Sequence, residues 1–138
     1  MIFISKRSLR ATVTVATSLI LFGLAAPAQA EGSFSSTIKN WLVGSGESRR
    51  WTDKNTDATS TSMALSGCSS TPTSFKSADF SVYRDVFGPD WNQGTKRNYC
   101  GTSYWGDLAA GEYYLRLELV NGNGSGFRLS AKGVTVRY

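Results

Sequence analysis

EYYLRLELVNGNGSGFRLSAKGVTVRY, residues 112–138, is the stretch that decides the fold. Tyr113, Leu115, Leu117 and Leu119 are apolar, and Arg116 and Glu118 between them are charged. Alternation with a period of two over a full strand length buries one face and wets the other. The Gly/Asn-rich run from Asn121 to Gly126 follows. Glycine takes positive φ without a Cβ penalty and Asn tolerates it, so the chain is expected to reverse there as a hairpin. Phe127, Leu129 and Ala131 resume the alternation against Arg128, Ser130 and Lys132. After Gly133 the inward set becomes Val134, Val136 and Tyr138. A one-residue phase slip at a glycine is a bulge or a tight turn, and the sequence leaves that choice open.

Upstream, the pattern predicts a first strand over Thr37–Val43, with Gly32–Ser36 fraying ahead of it, and a short second strand over Arg49–Thr52. Thr59–Ser66 places Met63 and Leu65 on one face of a third. The small, polar residues of Gly67–Ser74 read as a loop. Asp79–Asp85 reads as a strand with Phe80 and Val82 inward and Ser81 and Tyr83 outward. Val86–Gly94 reads as a long turn broken by Gly88-Pro89-Asp90, and Thr95–Gly101 as another short strand. No helix-period stretch of useful length follows residue 30. About seven short strands separated by turn signals point to an antiparallel sandwich or barrel.

The first thirty residues read as a cleaved signal peptide: a basic start (Lys6, Arg7, Arg10), an apolar run over Ala11–Ala26, and Ala28-Gln29-Ala30 as the cleavage signature. Residues 31–138 are then the secreted domain, long enough for one core. The leader holds three of the chain's 15 Lys and Arg and none of its 10 Asp and Glu, so 12 bases face 10 acids and the mature net charge is +2, against +5 for the whole. A balance of +2 makes no clustered basic face for nucleic acid. With no second apolar run after the leader, no stable membrane anchor is expected, and the domain is expected to be a monomer. Cys68 and Cys100 are the only cysteines. In an oxidising compartment an even pair reads as a disulfide.

The order Asp79-Phe80-Ser-Val82-Tyr83, a Gly/Pro turn, then Gly111-Glu-Tyr113-Tyr114-Leu115 and a Gly-rich run through Gly126 resembles the secreted bacterial sandwich domains of the pre-peptidase C-terminal type. The match covers residues 79–131, and the first half of the domain has no counterpart in it. The resemblance implies an accessory, jelly-roll-like sandwich without catalysis and transfers no site. The expected fold is therefore all-β: a single antiparallel β-sandwich, jelly-roll-like, with one disulfide, preceded by a cleaved signal peptide.

The chemistry is bounded mostly by what is missing. The chain has no His, which removes His-based triads and zinc hydrolases. Ser36 and Lys39 fit the S-x-x-K spacing but lie on no helix turn, which that chemistry needs. Glu112 and Glu118 share a face yet stand about 20 Å apart along a strand, too far for a glycosidase pair. Asp79, Asp85, Asp90 and Asp107 would offer oxygen ligands, but no dense calcium-loop run surrounds them. No metal or other cofactor is expected, and no catalytic residue is assigned.

The aromatics carry more. Trp91, Tyr99, Tyr104 and Trp105 cluster in sequence around Cys100. Aromatic planes of this kind stack on sugars or anchor protein interfaces. These four are the candidate binding residues, against the plainer role of plugging the ends of a small core. The Cys68 segment, braced by a disulfide, would suit substrate-like insertion into a protease cleft. The leading expectation is a secreted non-catalytic module that binds an extracellular protein or a cell-surface glycan. The alternatives are an inhibitor of a secreted protease or other hydrolase, and a small secreted toxin or antimicrobial protein.

Overall fold

The computed structural model describes residues 30–138, so the expected leader lies outside the described residues apart from Ala30. Eight strands follow in order: β1 (Ser33–Leu42), β2 (Trp51–Asp53), β3 (Thr61–Thr71), β4 (Ala78–Arg84), β5 (Trp91–Asn98), β6 (Thr102–Gly106), β7 (Gly111–Val120) and β8 (Arg128–Arg137). They form two four-stranded sheets, β1-β8-β3-β6 and β2-β7-β4-β5, with every neighbouring pair antiparallel. Successive strands change sheet at almost every step, which is the double Greek-key order of a jelly roll. The expected all-β sandwich with one disulfide is the architecture observed.

The hairpin expected from residues 112–131 does not form. β7 and β8 lie in different sheets and face each other across the sandwich. Their alternation is real: Tyr113, Leu115 and Leu117 from one and Leu129, Ala131, Val134 and Val136 from the other are buried in the core. Alternation specifies a buried face but not the strand that pairs alongside. The Gly/Asn run is instead a crossover. Asn121 (φ 50°) ties it to the β3–β4 connection, its Oδ1 accepting from the Lys76 and Ser77 amides at 2.7 and 3.2 Å and its Nδ2 donating to the Ser74 carbonyl at 2.9 Å.

Other expectations shift in the same way. Gly32–Ser36 does not fray: Ser33 opens β1 opposite Arg137, and Gly32 and Tyr138 exchange two backbone hydrogen bonds. Phe34 packs near Trp51, with ring centroids 5.9 Å apart, which anchors that start. The Gly67–Ser74 loop is mostly strand, because β3 runs on to Thr71 against β8 with Cys68 inside it. The turn expected to reach Gly94 ends at Asp90.

Gly133 lies within continuous β8 and is a bulge, not a turn: Lys132 and Gly133 together stand opposite Thr37 of β1. Across β3 the slip is matched by Gly67. A Cβ on Gly133 would collide with Ser66 Oγ, and one on Gly67 would come within 2.8 Å of Lys132. The two phase slips thus sit side by side and keep both inward sets in register. A further slip opposite Asp79 and Phe80 leaves Leu119 half-buried and buries Val120 in its place.

The start of β7 is fixed by Tyr113, whose buried hydroxyl donates to the Ala109 carbonyl at 2.5 Å. This is the tyrosine corner that secures the entry to a strand in many sandwiches. The disulfide joins β3 to the β5–β6 connection, with 5.9 Å between the Cα atoms. It therefore clamps one end of the sandwich. The β4–β5 and β6–β7 connections lie at the other end, beyond a strand of eight residues or about 25 Å.

Candidate binding surface

The structure does not bring the four candidate aromatics together. Trp105, on β6, points between the sheets, is 8% exposed, and donates its Nε1–H to the Gly94 carbonyl at 2.8 Å. It is a core plug. Tyr104, its neighbour, is 62% exposed on the outer face of the other side of β6, opposite Ser62. Tyr99 is 72% exposed beside the disulfide. Trp91, 58% exposed, opens β5 at the opposite end of the molecule. The Cys68 segment is a paired strand and so presents no protruding loop.

The end that carries Trp91 is the more developed. β4 and β5 are neighbours in one sheet, and residues 85–90 join them. Both feet of this connection are tied down. The Asp85 amide donates to the Glu112 carbonyl at 2.8 Å, and Asp85 Oδ2 accepts from Arg50 Nε at 2.6 Å. Asp90 Oδ1 accepts from the Val86 amide at 3.2 Å, and its Oδ2 accepts from the Tyr114 hydroxyl at 2.6 Å. The Tyr114 hydroxyl, followed by the Val86 amide, holds the Asp90 carboxyl below its ordinary range. Burial first, and then Asp90, pushes the Tyr114 phenol up. Between these braces the tip is bare. Phe87 is completely exposed, and Gly88 (φ 93°) and Pro89 complete the turn.

Arg84 connects the loop to Trp91. Its guanidinium carbon lies 5.6 Å from the Trp91 ring centroid, and its Nη2 donates to the Ala110 carbonyl at 2.8 Å. Gly111 makes room for it, since a Cβ there would stand 2.7 Å from Arg84 Nε. Phe87, Trp91 and Arg84 thus belong to one end of the sandwich, and Arg84 is held in place by backbone.

The adjoining outer face of β4 and β7 is closed rather than open. Tyr83 and Tyr114 stack with centroids 5.5 Å apart and 15° between planes. The Arg50 guanidinium covers Tyr114 at 4.3 Å and that of Arg116 lies 5.8 Å from Tyr83. The Tyr83 hydroxyl donates to Glu118 at 2.9 Å; Ser81 and Thr95 share a 2.6 Å hydrogen bond; Arg97 holds Asp79 through two bonds of 2.9 and 3.2 Å. Ser81 faces outward as expected but is fully covered by this network. Three of the four aspartates weighed as calcium ligands are thereby engaged by protein groups. Among the described residues, no group of three or more His, Cys, Asp or Glu side chains is arranged to hold a metal ion.

Sequence reasoning missed Phe87, Arg84 and the Tyr83–Tyr114 pair. The signal for Phe87 was a large apolar residue directly before Gly-Pro, where turns favour small polar side chains. The pair was readable from the outward phases of their two strands. No protein family matches the chain, and none of the curated proteins or solved structures compared with it is similar.

Proposed function

We propose that the chain is a secreted, non-catalytic binding module that engages an extracellular protein through the end of the jelly roll formed by residues 84–91. The observation that carries this reading is Phe87: an aromatic ring wholly in water, at the tip of a loop whose two feet are fixed by Asp85, Asp90, Arg50 and Tyr114. A rigid loop loses little conformational entropy on docking, and a buried aromatic anchor dominates the energy of many interfaces. Trp91 and Arg84, the other residue types common in such anchors, flank it. The disulfide fits an oxidising compartment outside the cytoplasm. The absence of His and the engagement of Asp79, Asp85, Asp90 and Glu118 by neighbouring side chains favour binding over catalysis. The resemblance to pre-peptidase C-terminal domains points the same way.

The test is capture from culture fluid and cell envelope by the immobilised protein. A partner held by the wild type and by Tyr99→Ala, but weakened about 30-fold or more by Phe87→Ala, meets the expectation for an anchor residue. Capture unchanged in both Phe87→Ala and Trp91→Ala refutes it. Retention on insoluble polysaccharide that depends on Trp91 and not Phe87 makes the partner a glycan instead.

The same ring favours one second reading, inhibition of a secreted protease. In that case the Phe87 loop, and not the Cys68 segment, enters the enzyme. Stoichiometric loss of activity of a protease that cleaves after aromatic residues, abolished by Phe87→Ala, is its signature. An unaffected panel of such proteases removes it.

A further inference from the structure

Away from that end, the two sheets enclose a cavity of about 140 Å³. Phe34, Ile38, Met63, Phe80, Leu115 and Val136 make its walls, drawn from both sheets. Protein interiors close-pack, and most of their voids are smaller than a water molecule. An apolar cavity of about 150 Å³ is large enough to admit benzene. The opening lies between the edge strand β1 and the segment Ser48-Arg49. Two features of the chain keep it from closing. β1 slips register against β8 between Ser36 and Ile38, and β2, the facing edge of the other sheet, is only three residues long and begins at Trp51.

Arg49 stands at this mouth. Its guanidinium carbon lies 4.6 Å over the Phe34 ring, which is itself part of the wall. Arg50, Arg97 and Arg116 all have carboxylate partners; among the described residues Arg49 has none, and its Nε reaches only the Arg50 carbonyl at 3.5 Å. Ser48 beside it is already engaged, its Oγ accepting from the Leu115 amide at 2.8 Å and donating to the Arg49 carbonyl at 2.8 Å. The mouth thus offers one cation, with its forked donors turned over an apolar opening. Guanidinium recognises carboxylates through paired hydrogen bonds.

We propose that this cavity is a binding site for a small amphiphile, in which one apolar ring or short branched chain fills the space between the sheets and a carboxylate meets Arg49 at the mouth. The site shares no residue with the Phe87 end and stands independently of the function proposed for it.

The test is titration of the folded domain with 3-phenylpropionate and, as the uncharged counterpart, 3-phenylpropan-1-ol, followed by amide and methyl chemical shifts. Both ligands are expected to move the resonances of Met63, Phe80, Leu115 and Val136. The acid is expected to bind about tenfold more tightly than the alcohol, the scale of one charge-assisted contact at a partly exposed site. Arg49→Gln, an exposed substitution that leaves the core alone, is expected to remove that difference and spare alcohol binding. Val136→Phe, which fills the cavity, is expected to abolish binding of both. Absence of shifts at these residues with either ligand overturns the site. Equal affinity for acid and alcohol in the wild type overturns the carboxylate assignment, and unchanged binding by a folded Val136→Phe variant overturns the location.

Discussion

Replacing both cysteines by alanine tests how much of the domain's stability comes from the clamp at the disulfide end. Cys68 and Cys100 are 32 residues apart, and the span they close holds the β3–β4 connection and all of β4 and β5. Cross-linking a loop of that length removes about 3.7 kcal/mol of unfolded-chain entropy at 25 °C in the loop-closure treatment. Cys100 sits at φ 67°, a region that costs any residue with a Cβ, but alanine bears that cost as cysteine does, so it cancels in the comparison. Both cysteines are half-buried against the core, so lost packing adds to the entropic effect rather than offsetting it. With a urea m-value of about 2 kcal/mol/M, the midpoint should fall by about 2 M. The m-value should also rise, because the opened unfolded chain exposes more surface. Urea unfolding followed by tryptophan fluorescence, with the wild type kept oxidised, measures both. A loss below about 1 kcal/mol would refute the reasoning, since a restraint of this span would then be absent from the unfolded state.

Two further substitutions probe the Phe87 end and its surroundings. Tyr114→Phe removes the hydroxyl that braces Asp90; the fold should persist while the backbone order parameter of Phe87 drops from the rigid range near 0.85 to below about 0.6, read by ¹⁵N relaxation. Asp53 is buried, and burial, followed by the Asn55 amide acting in the opposite direction and by repulsion from Glu31, Asp107 and Asp57, leaves its carboxyl raised. The folded state therefore holds the proton more tightly than the unfolded one, and stability falls as pH rises from the ordinary aspartate value of about 4 through the raised one. Asp53→Asn should accordingly stabilise the domain at pH 7, with the gain disappearing below about pH 4; thermal melts at the two pH values show it, and a gain of equal size at both would rule out ionisation as the cause.

The inward sets were legible because strand geometry is local. Met63 with Leu65, Phe80 with Val82, and Tyr113 with Leu115 and Leu117 are buried where period-two alternation put them. Pairing was not legible, because it depends on residues far apart in sequence. The Gly/Asn run looks like a hairpin in isolation; what makes it a crossover is the Asn121 side chain reaching Thr73, Ser74, Lys76 and Ser77, about 45 residues upstream. The serine-rich continuation of β3 reads as loop for a related reason. Its side chains contribute little burial of their own, and the strand is held by its ladder to Arg128–Ala131 of β8.

The candidate site divides along the same line. Nearness in sequence grouped Trp91, Tyr99, Tyr104 and Trp105, but a jelly roll places successive strands in different sheets and alternate residues on opposite faces. Four rings within fifteen residues therefore reach four separate environments: one end, the other end, an outer face and the core. Arg50, Arg84, Asp90 and Tyr114 come from the β1–β2 connection, β4, the β4–β5 connection and β7, and no local pattern links them. The physical asymmetry this creates bears directly on function. One end of the sandwich is fixed by a covalent bond and by the bonds of Asn121. The other has no covalent link and is fixed by the Asp85–Glu112 backbone bond, side-chain hydrogen bonds and stacked rings, yet it displays the most exposed large apolar residue of the described chain. A ring kept in water by folding alone gains nothing from that position. Bracing both feet of its loop does make sense for a surface that must meet another molecule in a single shape, since the order is then present before binding.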